Sequence, residues 1–97
     1  MFDKVKGLYE FQKKARQIQK ELKNTNFLAE GRGITVTANG AMEIVQIQIT
    51  EETKEDMSAE KLGKEIAELC DKAIQKAQKH AATKMREISG GLGLPGL

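Results

Sequence analysis

One cysteine in 97 residues excludes an intramolecular disulfide, and one cysteine with one histidine cannot supply a structural zinc site. No apolar run approaches the roughly 20 residues that a membrane-spanning helix needs. The opening MFDKVKG lacks the apolar stretch of a signal peptide, which points to a cytoplasmic protein, and with so few metal-ligating residues no metal and no cofactor is expected. Aromatic residues make up only 4% of the chain, with no tryptophan. Proline occurs once and glycine nine times, near ordinary frequency, and 39% of residues are hydrophobic. Those shares are globular and argue against wholesale disorder. The length fits one small domain, or a module that completes its core with a partner.

Charge is plentiful, at 31% of residues, and it is segregated. Residues 1–23 carry a balance of +4, residues 24–50 of −1, residues 51–71 of −5 and residues 72–97 of +4. The net charge of +2 conceals basic ends around an acidic middle. Such ends can bind a polyanion locally although the whole chain is nearly neutral.

From Asp3 to Asn24 the apolar positions Leu8, Phe11, Ala15, Ile18 and Leu22 recur every three or four residues, which predicts a helix. The middle of the chain changes period. Ile34, Val36 and Ala38 alternate with threonines, and Val45, Ile47 and Ile49 alternate with glutamines, as half-buried strands do. Asn39-Gly40 between them predicts a tight type I′ hairpin, and Phe27 to Glu30 suggests a short leading strand. On this register Ile44 shares the polar face with Gln46 and Gln48. From Ser58, a good N-cap, apolar positions run at helical spacing through Leu62, Ile66, Leu69, Ala73, Ala77, Ala81, Met85 and Ile88. Ser89-Gly90-Gly91 is expected to stop that helix.

The expected fold is α+β: a helix, a small antiparallel sheet of two to three strands with an Asn-Gly hairpin, and a long C-terminal helix. Residues 1–89 form one domain and 90–97 a flexible Gly/Leu/Pro tail. So small a sheet with one helix pair buries little, so a homodimer with projecting helical arms is expected.

No constellation of residues supports an enzyme or a small-molecule substrate. Cys70 and His80 fall on helix faces about 80° apart, so Cys70 reads as a buried thiol and His80 as a surface or interface residue. Glu51, Glu52, Glu55, Asp56 and Glu60 do not have the spacing of a calcium loop and read as a solvated connector. Gly31-Arg32-Gly33 does not match a phosphate loop. The basic stripes carry more. Lys13, Arg16, Lys20 and Lys23 follow one another on the first helix, and Lys72, Lys76, Lys79 and Arg86 share a sector of about 80° on the last. Antiparallel packing of the two helices would set these stripes side by side, a surface suited to phosphate backbones. Thr35, Thr37, Gln46 and Gln48 leave the polar sheet face without rings, which argues against single-strand stacking and favours duplex DNA.

The order of helix, glycine-rich turn, VTANGAMEIVQIQIT, long helix and SGGLGLPGL resembles the YbaB/EbfC family of nucleoid-associated proteins. The spacing of Val36, Asn39 and Gly40, the aliphatics ending at Ile49, and Leu94-Pro95-Gly96 carry the resemblance most specifically. It implies a small cytoplasmic, nucleoid-located homodimer, tweezer-like in outline, that binds DNA and alters its conformation. It identifies no contact residues, so the eight basic positions rest on charge alone. The alternative is a prefoldin-like chaperone or assembly scaffold, which also places strands between two helices.

Overall fold

A computed structural model describes the backbone of residues 2–91 and the side chains of residues 6–87. Its elements are α1 (Phe2–Lys23), β1 (Asn26–Gly31), β2 (Ile34–Asn39), β3 (Ile44–Ile49), α2 (Glu51–Asp56) and α3 (Ala59–Gly91). The three strands form one antiparallel sheet in the order β1-β2-β3. Ser58 caps α3, its hydroxyl accepting from the Lys61 N–H at 3.2 Å. The helix then runs 33 residues, through Gly90 and Gly91, past the stop that the glycines suggest. The expected tail from residue 92 onward, and the side chain of Ile88, lie outside the described residues.

Alternation places Phe27, Ala29, Ile34, Val36 and Ala38 on one face of the sheet, where α3 lays Leu69, Ala73 and Ala77 across β1 and β2. Val36, Ala38, Ala73 and Ala77 are wholly buried. The alanines let the helix axis approach the sheet closely, and larger side chains (Met57, Leu62, Ile66, Cys70 and Ile74) fill the margins.

Two local expectations are corrected by the structure. The type I′ geometry sits at Arg32-Gly33, with φ of 50° and 79°, rather than at Asn39-Gly40. There the Thr53 hydroxyl donates to the Arg32 carbonyl at 2.7 Å, and Thr50 caps α2. The second hairpin is longer, because the Gly40 N–H is drawn to the Leu22 and Thr25 carbonyls at 2.7 and 3.0 Å. Asn39 closes that loop, its Oδ1 accepting from the Ala41 and Glu43 N–H groups, and Met42 takes a φ of 65°. The second correction follows from a bulge. Val36 pairs with Ile47 but Ala38 pairs with Ile44, so Val45 is the extra residue. Ile44 therefore joins Ile47 and Ile49 on the apolar face instead of the glutamines on the polar one.

Gly33 is held by both its backbone and its surroundings. A Cβ there would run into the Thr53 hydroxyl and lie 2.7 Å from Thr50 Oγ1, at a φ that L side chains rarely adopt. Gly33→Ala is expected to cost about 2–3 kcal/mol of stability. Urea unfolding of the variant beside the parent protein checks this.

Candidate nucleic-acid interface

The molecule is drawn out to 65 × 22 × 16 Å because both long helices leave the same end of the sheet. At that end the last turn of α1 rests on Gly40, whose own Cβ position would be 2.6 Å from the Leu22 carbonyl oxygen. A residue larger than glycine would push the helix away. α3 reaches the same end at His80, whose ring lies 5.2 Å from that of Phe27 with a 53° tilt. Beyond it the two helices diverge around a cleft of about 800 Å³.

The eight basic positions fall into three groups. Lys13, Arg16 and Lys20 share one hollow on the back of α1 with Tyr9 and Gln12. Lys23 stands apart, beside Gly40, Ala41 and Met42. Lys72, Lys76, Lys79 and Arg86 occupy one flank of α3, and its orientation is fixed by two contacts. The Lys76 ammonium donates to the Leu28 carbonyl at 2.6 Å, and Glu65 on the same flank pairs with Arg32 at 3.1 Å. This flank therefore faces the β1 edge of the sheet. The opposite flank carries Ile66, Cys70 and Ile74 toward β3, as the helical period requires.

The expected side-by-side packing of α1 and α3 is not what the structure shows. Among the described residues Gln17, Lys20 and Glu21 of α1 face His80 and Lys84 of α3 across the cleft near the sheet. Lys84 and His80 are absent from both sequence-derived stripes. Lys84 follows Ala77 and Ala73 on the core-facing side of α3, and it becomes a cleft residue only because the sheet ends before it. It also pairs with Glu87 at 3.4 Å. Glu51, Glu52, Glu55 and Asp56 are all exposed on α2 or beside it, at the opposite end of the sheet from the arms. Among the described residues no group of three or more His, Cys, Asp or Glu is arranged to hold a metal ion, and no helix is long and apolar enough to cross a membrane.

A second surface lies beside the basic one. α3 covers β1 and β2 but hardly reaches β3, so Ile44, Val45, Ile47 and Ile49 remain between 38% and 54% exposed. Together with Ile66, Cys70 and Ile74 they make an apolar groove along the β3 side. So much aliphatic surface on an edge strand is what protein interfaces bury.

Residues 1–92 match the family model described as the YbaB/EbfC DNA-binding family. The chain belongs to that family. A nucleoid-associated protein of Clostridium acetobutylicum is 34% identical over 95 residues, covering 96% of this chain and 85% of the relative. One from Clostridium kluyveri is 35% identical over 95 residues, covering 96% and 83%. The crystal structure of an uncharacterized Helicobacter pylori protein shares the fold, with a TM-score of 0.55 at 20% identity over 95% of this chain and 96% of that one. The resemblance read from the Asn39-Gly40 segment and the flanking helices is thus borne out. So is the α+β architecture of a three-stranded antiparallel sheet ahead of a long C-terminal helix.

Proposed function

We propose that this YbaB/EbfC family member is a non-enzymatic homodimer that binds duplex DNA in the nucleoid through phosphate contacts, with low sequence specificity, and changes the conformation of the DNA. The observation that carries this reading is the division of α3 into two flanks. One is apolar and faces the open side of β3, while the other carries Lys72, Lys76, Lys79 and Arg86. A second copy seated on the apolar groove removes that surface from water and leaves the basic flank of each copy outside. Lys13, Arg16 and Lys20 on α1 extend the positive surface beyond the sheet, and Lys23 adds charge at the joint with the β2–β3 loop. Flexible lysines spread along two helices neutralise phosphates without reading base edges, so low specificity follows.

Release of counterions sets the expected result. If the dimer neutralises roughly six phosphates, log K falls against log salt with a slope near −5. Gel-shift or anisotropy titrations of a duplex fragment across a salt series measure it. Binding that ignores ionic strength, or no binding at low salt, would overturn the reading. Two unrelated duplex sequences of equal length should bind with closely similar affinity.

A further inference from the structure

Tyr9 is the one tyrosine of a chain without tryptophan, and it stands 66% exposed. It does not belong to the apolar stripe of α1. Tyr9, Lys13, Arg16 and Lys20 recur at spacings of four, three and four residues, which sets the ring in line with three cations on one face of the helix. Phe11, Ala15 and Ile18 occupy the other side. The ring, the cations and the amides of Gln12 and Gln17 surround a hollow of about 260 Å³. An aromatic face among cations, edged by groups that both donate and accept, suits an unstacked nucleobase and the phosphates that flank it.

We propose that this hollow takes one unpaired nucleobase of an otherwise duplex DNA, stacked on the Tyr9 ring. The inference rests on the DNA-binding reading above and adds to it a preference for DNA that carries an unpaired base. Charge complementarity names the occupant. Lys13, Arg16 and Lys20 hold the phosphates of the strand along the roughly 16 Å of helix between Tyr9 and Lys20. Among the described residues one ring lines the hollow, so one base stacks. A continuous single strand needs successive rings, and the polar sheet face with Thr35, Thr37, Gln46 and Gln48 carries none. Every base has an aromatic face, so the contact selects an unpaired position without selecting a sequence. Gln12 and Gln17 can turn either end of their amides to the base edge, which keeps the same tolerance. A base already outside the stack costs no unpairing, whereas an intact duplex must first be opened, and this sets the direction of the preference.

Tyrosine emission reads the ring directly, because Tyr9 is its single source. The parent protein is titrated at low salt with an intact duplex, the same duplex with one extra unpaired base, and a single strand of equal length. The bulged duplex is expected to quench the emission most and to bind about tenfold more tightly than the intact one. Stacking releases no counterions, so that ratio should persist as salt is raised although both affinities fall. Anisotropy of labelled DNA then compares Tyr9→Ala with Tyr9→Phe, and far-UV circular dichroism confirms that each keeps its helices. Tyr9→Ala should lower the bulged duplex to the affinity of the intact one and leave the intact one within about twofold of the parent. Tyr9→Phe, which keeps the ring face, should retain the preference.

Equal affinity for bulged and intact duplexes overturns the proposal and leaves the phosphate-binding reading in place. So does a preference that survives Tyr9→Ala, or a single strand bound as tightly as the bulged duplex. Loss of the preference in Tyr9→Phe also overturns it, since the hydroxyl and not the ring face is then the contact. Emission that changes with protein concentration but not with DNA does the same, as the sign of a ring covered by a second copy. If none of the three DNAs binds at low salt, the DNA-binding reading itself falls and this inference falls with it.

Discussion

Replacing Lys13, Arg16 and Lys20 together by glutamate is expected to weaken duplex binding by more than about a hundredfold at 0.1 M salt. Each phosphate contact contributes about eightfold in affinity under those conditions through counterion release, and a dimer carries the set twice. Reversal goes further than removal, because three carboxylates then repel the strand the helix had attracted. The three side chains share one hollow on the exposed back of α1, so the sheet and its packing against α3 do not depend on them. Unchanged thermal unfolding beside lost retention of a duplex is the expected pair of results. Retention within threefold of the parent would move the interface off α1, leaving the flank of Lys72, Lys79 and Arg86 on α3 to account for binding.

The second large effect is expected at Ile47. It sits at the middle of β3 opposite Val36, on the face that α3 leaves open. In an isolated chain a carboxylate there would find water, since Ile47 is 41% exposed. Beneath a second copy it would be buried without a partner, which costs several kcal/mol. Ile47→Glu should therefore halve the mass measured by light scattering while the far-UV spectrum persists. Duplex affinity should fall with it, because half of the phosphate contacts then dissociate independently. A variant that keeps the parent mass would place the contact between copies elsewhere than on β3.

What could be read from residues alone followed the strength of local signals. Alternation at Ile34, Val36 and Ala38 fixed the buried face of β2, and the three-and-four spacing of Leu62, Ile66, Leu69 and Ala73 fixed the face of α3. Asn39-Gly40 was misplaced as a type I′ turn because a contact far away in sequence, from the Gly40 N–H to the Leu22 carbonyl, decides that backbone. Ile44 was assigned to the wrong face because one extra residue at Val45 reverses the alternation, and no composition signal marks a bulge. α2 escaped notice since six residues carry no amphipathic period; its Thr50 cap was the available sign. The positions of the basic residues around each helix were legible, but their grouping was not. Whether Lys84 or Lys76 faces α1 depends on where the sheet ends beneath α3, which is a tertiary fact.

The hydrogen bond from Lys76 to the Leu28 carbonyl has a consequence for how many chains can join. Leu28 lies on the outer rim of β1, where an incoming strand would need that oxygen. A flexible cation folded over it blocks growth on one rim, while the other rim, along β3, stays open. If copies join along β3 as proposed, sheet extension would happen once and stop, giving a closed pair in place of an endless fibre.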